Sequence, residues 1–290
     1  MIITGLHLLL TYECNFECDH CFVWGGPRQR GTMTLADVRE ILRQAETLGT
    51  VESIYFEGGE PFLYHPILCR GVEEAVDRGF RAGVVTNGYW ATEVEDALAW
   101  LRPLAGLIHD LSVSSDLYHY GERISRQVRN AQCAADRLDI PVGTIAVAHP
   151  DDEDALATLM VRGRAVEKLA SRVPHRPWTS FTECPHEDLR DPGRLHVDPL
   201  AHVHLCQGIS LGNLFRTSLA EICAAYDPDA HPVIGPLLDG GPTELVHRYS
   251  VTDDERYADG CHLCYEARQA LRERFPETLT PDQMYGVFEA

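Results

Sequence analysis

Short apolar, strand-like stretches alternate with longer helix-like ones through the first 150 residues, and that alternation confines the chain to βα units around a parallel sheet. Residues 6–11 (LHLLLT) read as the first strand. Thr34 is placed to cap a helix over 35–48, where Leu35, Val38, Ile41, Leu42, Ala45 and Leu48 recur at helical spacing and Gly49 ends the run. Strand 51–56, the glycine pair Gly58-Gly59 and a helix over 66–78, closed by Gly79, form the second unit. Strand 81–86, the Asn87-Gly88 turn and a helix over 93–101 form the third. Strands over 107–114 and 141–147 flank a helix over 121–138, and a further helix is expected over 152–170. Beyond RVPHRPW the rhythm breaks into short segments punctuated by proline and glycine, which places a boundary near 175–180. Two domains, 1–178 and 179–290, suit a chain of 290 residues.

Acidic residues number 44 against 25 basic ones, a net charge of -19 that repels phosphate backbones and anionic lipid surfaces. Neither nucleic acid nor a membrane is therefore an expected partner. Lys168 is the sole lysine, so Schiff-base chemistry has one candidate, in a setting (AVEKLA) that looks like an exposed helix face. The longest apolar stretch, IITGLHLLL, is about half of what crosses a bilayer, and no basic segment precedes a cleavable one. A soluble cytoplasmic protein is the expectation. In that reducing compartment the ten cysteines read first as ligands rather than as disulfides.

Cys14, Cys18 and Cys21 form the motif C-NFE-C-DH-C on the loop after the first strand. A loop with this spacing can turn three sulfurs toward one point, as an iron–sulfur cluster requires. Three thiolates leave one iron of a four-iron cubane open to another ligand; a zinc site completed by a distant fourth cysteine is the competing reading. After the second strand stands Glu57-Gly58-Gly59-Glu60-Pro61, where paired glycines let a ligand approach the backbone, or simply make a tight turn.

In combination and in this order, these residues resemble the radical S-adenosylmethionine (SAM) superfamily, over about residues 4–150. The resemblance implies an α/β fold, a partial (β/α)6 TIM-like barrel, with Cys14, Cys18 and Cys21 holding a catalytic 4Fe-4S cluster. It further implies that SAM chelates the open iron and that one electron cleaves it to a 5′-deoxyadenosyl radical. By the same resemblance His20 lies against the adenine, Gly58, Gly59 and Glu60 receive the methionine amino group, and Pro61 completes the motif. Thr86, Asn87, Ser112 and Ser114, at the ends of the third and fourth strands, take ribose or carboxylate contacts, and Gly143–Val147 flanks the adenine.

Cys184, Cys206, Cys261 and Cys264 form C-x21-C-x54-C-x2-C, four thiols able to close a metal site, with a zinc ribbon as the alternative. The run from Leu195 to Ile222 resembles the hairpin and helix of auxiliary-cluster domains in radical SAM enzymes. Too few cysteines remain for the full seven-cysteine SPASM form, and Ala201 replaces a usual glycine. The single-cluster twitch form fits better, as in 2-deoxy-scyllo-inosamine dehydrogenase-like members, and implies a second 4Fe-4S cluster. Cys69, Cys133 and Cys223 remain, as small buried hydrophobes or as a hydrogen-atom donor. Asp116–Tyr120 could line the substrate face or cap a helix, and Tyr89 and Trp90 a pocket wall. His202 and His204 are not expected as ligands.

The resemblance implies oxidation of a small natural-product alcohol, with flavodoxin or ferredoxin as electron donor. The alternative is a ribosomal-peptide maturase performing thioether or carbon–carbon crosslinking, or epimerisation; with the motif starting at residue 14, no leader-binding domain is expected before it. A non-catalytic iron–sulfur or zinc regulator is the remaining reading.

Overall fold

A computed structural model of the chain describes residues 1–152, 158–251 and 254–288. Strands β1 (Ile3–Thr11), β2 (Ser53–Gly58), β3 (Arg81–Thr86), β4 (Ile108–Ser114) and β5 (Val142–Ile145) stand side by side in chain order, all parallel. Helices α1 (Leu35–Leu48), α2 (His65–Asp77) and α3 (Val94–Leu101) connect the first four, the α/β architecture the sequence led us to expect. The cause of α1 is explicit at its ends. Thr34 Oγ1 accepts from Asp37 N at 3.2 Å while Asp37 Oδ2 accepts from Thr34 N at 2.7 Å, and Gly49 stops the helix at φ 75°. Val38, Ile41, Leu42 and Ala45 form its buried stripe.

Two expectations change. In place of one helix over 121–138, Asp116 caps a single turn, α4 (Leu117–Tyr120), which Gly121 ends in the left-handed conformation. Ser125 then caps α5 (Arg126–Arg137), so the chain turns after β4 rather than running straight into one helix. Of the helix expected over 152–170, residues 153–157 lie outside the described residues and 158–163 are non-helical. What remains is α6 (Arg164–Lys168).

The sheet does not stop at residue 178. A short β6 (Arg176–Pro177) lies apart, and then β7 (Gly193–Val197) pairs parallel with β1 on the side away from β2. It is followed by the antiparallel β8 (His202–Cys206) and β9 (Ile209–Asn213). The sixth parallel strand thus flanks β1 instead of following β5, giving the order β5-β4-β3-β2-β1-β7-β8-β9. One buried core runs from Ile3 to Tyr285.

Helices α7 (Leu219–Ala225) and α8 (Ile234–Tyr249), β10 (Arg256–Tyr257), which pairs with β6, and α9 (Gly260–Leu271) complete the chain. Helix α8 breaks at Gly240-Gly241, where Gly241 has φ 66°. A Cβ there would lie 2.3 Å from Glu183 N, so the break admits the loop that carries Cys184. Among the described residues no helix is long and apolar enough to cross a membrane.

Candidate active site

The end of β2 is driven against the loop that leaves β1. Gly59 N donates to Thr11 O at 2.6 Å and Glu60 N to Glu13 O at 2.9 Å. A Cβ on Gly59 would stand 2.1 Å from Glu13 O, and one on Gly58, at φ 133°, 2.5 Å from Thr11 O. The glycine pair is thus a packing requirement of the cysteine loop as well as a lining of the cavity beside it. From the other side, buried Arg164 donates through Nη1 to Cys18 O at 2.8 Å and through Nη2 to Gly25 O at 2.7 Å. Its backbone N–H reaches Cys21 O at 3.0 Å. Gly163, at φ 61°, allows this approach, since a Cβ would lie 2.6 Å from Phe22 Cα.

Donors converge on the sulfurs themselves. Cys14 Sγ accepts from Phe16 N at 3.4 Å and Asn87 Nδ2 at 3.6 Å, and Cys21 Sγ from Gly25 N at 3.2 Å. Such contacts stabilise thiolate ligands and tune an iron–sulfur centre. Burial pushes the Cys14 thiol up to about 12 and Cys18 higher still, so without a nearby positive charge these sulfurs stay protonated. The spacing tests the alternative. Around one tetrahedral zinc, with Zn–S about 2.3 Å, sulfurs sit about 3.8 Å apart. Among the described residues neither cysteine set forms a group of three ligand atoms close enough to hold a single ion.

Cys14, Cys18 and Cys21 open on a cavity of about 490 Å³. His20, Gly58, Gly59, Thr86, Asn87, Ser112 and Ser114 line it, as do Ile145, Ala146 and Val147 from the fifth-strand segment. His20 packs on Tyr118 with ring centres 4.4 Å apart, and burial pulls its pKa down to about 4, leaving a neutral flat wall. Asp116 both caps α4 and lines the cavity, accepting from His119 Nδ1 at 2.8 Å and Val147 N at 3.3 Å.

Glu60 and Pro61 are not on that lining. Glu60 is fully buried: Oε1 accepts from Phe62 N at 3.0 Å and Thr86 Oγ1 at 2.8 Å, and Oε2 from Asn87 N at 2.7 Å. Here its carboxylate fastens the end of β3 to the glycine turn, and burial raises its pKa to about 7. Trp90 is likewise structural, stacked on Phe62 at 4.6 Å and bonded to Thr86 Oγ1. Tyr89 is also off the lining.

Sequence reasoning passed over His7, Tyr55, Glu57 and Asp110, which line the floor, and Arg162. The signal was available: on β2 and β4 polar residues sit two apart, the period of one sheet face, and His7 stands alone among the apolar residues of β1.

The second cysteine set lines a separate small cavity. Cys184, Cys206, Cys261 and Cys264 meet there with buried Arg162 and Arg268. Asp259 caps α9 by accepting from His262 N at 2.7 Å, which puts Cys261 and Cys264 on its first turns, opposite Cys206 at the end of β8. Arg162 Nη1 donates to Cys206 Sγ at 3.2 Å and lines both cavities. Cys69, Cys133 and Cys223 lie on α2, α5 and α7, and none of them lines the larger cavity. His204 is fully buried against Asp198, 3.0 Å away, which also accepts from Tyr12 Oη at 2.7 Å.

A parallel βα sheet thus carries three cysteines after its first strand and a glycine pair after its second, both lining one cavity. The chain belongs to the radical SAM superfamily, which matches residues 8–155, half of its length. It is 35% identical over 83 residues to the S-adenosylmethionine-dependent nucleotide dehydratase of Selenomonas ruminantium, 29% of either chain. It is 26% identical over 122 residues to the putative peptide biosynthesis protein YydG of Bacillus subtilis (strain 168), 42% of this chain and 38% of that one. The chain spans less than half the length of these curated relatives. Among solved structures, BtrN in complex with AdoMet and 2-DOIA aligns at 19% identity and a TM-score of 0.49, covering 77% of this chain and 82% of that one.

Proposed function

We propose that the protein binds SAM in the larger cavity and uses the 5′-deoxyadenosyl radical to take a hydrogen atom from a small polar substrate, oxidising an alcohol. The observation that carries this reading is one cavity lined at once by Cys14, Cys18 and Cys21, by Gly58 and Gly59, and by polar residues on β1, β2 and β4. Bound to the three cysteines, a 4Fe-4S cluster supplies the electron that opens the sulfonium of SAM. The chain's own residues do the rest: His20 and Tyr118 offer a flat wall to the adenine, Gly58 and Gly59 expose backbone to the methionine end, and Ser112 and Ser114 offer hydroxyls. Glu60 acts by holding Thr86 and Asn87 in place. Against Arg162, the lining carries Glu57, Asp110 and Asp116, an acidic balance that suits hydroxyl- or amine-bearing substrates.

In this reading residues 1–178 carry the SAM site and 179–290 an auxiliary 4Fe-4S cluster on Cys184, Cys206, Cys261 and Cys264, which supplies a one-electron acceptor. Ketone formation from an alcohol radical releases one proton and one electron, so an acceptor is required. A flavodoxin- or ferredoxin-type donor reduces the first cluster. Peptide modification is the second reading, favoured by the similarity to YydG. The test is anaerobic reconstitution, reduction with dithionite and assay of SAM cleavage. Formation of 5′-deoxyadenosine and methionine supports the reading, and their absence from reduced protein containing about eight irons per chain overturns it. Deuterium transfer to 5′-deoxyadenosine from carbinol-deuterated aminocyclitols, against α-deuterated peptides, separates the two substrate classes.

A further inference from the structure

We propose that His7, Glu57 and His196 form a site for one first-row divalent cation at the floor of the larger cavity, distinct from both cysteine sets. The three residues come from adjacent strands. His7 on β1 and His196 on β7 are register partners, and Glu57 on β2 is the partner of Leu9, two residues along from His7 and on the same face. His7 Nδ1 lies 3.2 Å from Glu57 Oε2, and His196 Nε2 lies 3.4 Å from Glu57 Oε1. All three ligand atoms fall within 4.8 Å of one another, the only group of the kind among the described residues. Metal–ligand bonds of about 2.0–2.2 Å bring ligands about 3.0–3.5 Å apart, so little movement is needed to close on an ion.

The polar bookkeeping points the same way. Glu57 Oε1 is enclosed and has no hydrogen-bond partner among the described residues, with His196 Nε2 standing 3.4 Å away. A carboxylate oxygen withdrawn from water in this way is costly unless positive charge compensates it. Tyr55 stacks on His7 with ring centres 4.8 Å apart and planes 15° apart, which fixes the direction of that imidazole. His7 and Glu57 face the cavity, whereas His196 lies behind them, so coordination positions left by the protein open toward whatever the cavity holds. Two imidazoles and a carboxylate with open positions suit zinc, ferrous iron or cobalt rather than calcium or magnesium.

The test uses the reconstituted protein with its iron already assembled, equilibrated with zinc chloride and desalted. Plasma mass spectrometry should find one zinc per chain beyond the iron, falling to near zero in His7→Ala, Glu57→Gln and His196→Ala with iron unchanged. Zinc that is absent from the wild type, or retained in all three variants, overturns the site. Should a variant lose iron or its circular dichroism, the wild type decides through cobalt(II) bound to the same holoprotein. Nitrogen and oxygen coordination in its electron paramagnetic resonance supports the proposal, and thiolate coordination or no bound cobalt overturns it. SAM cleavage is read separately, so a wild type that takes up no zinc while still forming 5′-deoxyadenosine sinks this proposal and leaves the previous one standing.

Discussion

Cys14, Cys18 and Cys21 line a cavity of about 490 Å³, whereas Cys184, Cys206, Cys261 and Cys264 line a small one of about 30 Å³ beside two buried arginines. The first set is shaped by backbone: Gly58, Gly59 and Gly163 let three segments touch where no side chain fits. Side-chain charge shapes the second, with Arg162 on Cys206 Sγ and Arg268 donating to Gln207 O at 2.8 Å and Cys264 O at 3.3 Å. The contrast teaches how ligand number and environment go together. Three thiols leave room for an exchangeable ligand and need an open side, while four complete a shell and can be sealed.

The largest effect that could break this contrast is removal of either set. Replacing Cys14, Cys18 and Cys21 together by Ala should halve an iron content of about eight per chain and abolish 5′-deoxyadenosine. Cys261→Ala with Cys264→Ala should halve iron equally while SAM cleavage persists. Iron analysis and chromatography of the nucleoside check both, and cleavage lost in the second variant would mean that the two sites are not separable.

A smaller effect sharpens the backbone side of the comparison. Gly59→Ala forces a Cβ toward Glu13 O, 2.1 Å away, and should cost about 1–3 kcal/mol. Iron should leave the first set and stay in the second, as measured by iron content and the urea midpoint. Retention of all iron with an unchanged midpoint would show that the loop can retreat.

A pH effect concerns Glu60, whose pKa burial raises to about 7. Its carboxyl stays protonated in the folded chain between about pH 4.5 and 7 while the unfolded chain ionises. Folding therefore loses stability as pH rises through that window, by up to about 1.4 kcal/mol per pH unit. Glu60→Gln should flatten this slope, at a cost of about 1–3 kcal/mol from an amide N–H set against a backbone donor. Urea midpoints at pH 5.5 and 7.5 compare the two proteins, and parallel slopes would rule Glu60 out as their source.

The βα rhythm, the cap at Thr34 and the two motifs were legible because each is local: a period, a capping residue, a spacing. Lost to sequence reading were features made by distant partners. Glu60 carries a motif position, and its hydrogen bonds to Thr86 and Asn87 could not be read from that position. Arg162 and Arg164 carried no local signature, and only the return of the chain after β5 brings them to Cys206 and Cys18. Similarly, His7 and His196 are 189 positions apart in number and become neighbours only because β7 pairs with β1.

That pairing has a consequence for how the protein is made. β1 is an interior strand of an eight-stranded sheet, held by β2 on one side and β7 on the other. During synthesis it must wait, with one edge bare, for some 180 residues to follow before its second neighbour exists. A strand as apolar as ITGLHLLLT with an open edge is a template for pairing with other chains. Severing the chain between β5 and β7 would make that exposure permanent, so the two stretches are tied together by folding as well as by chemistry.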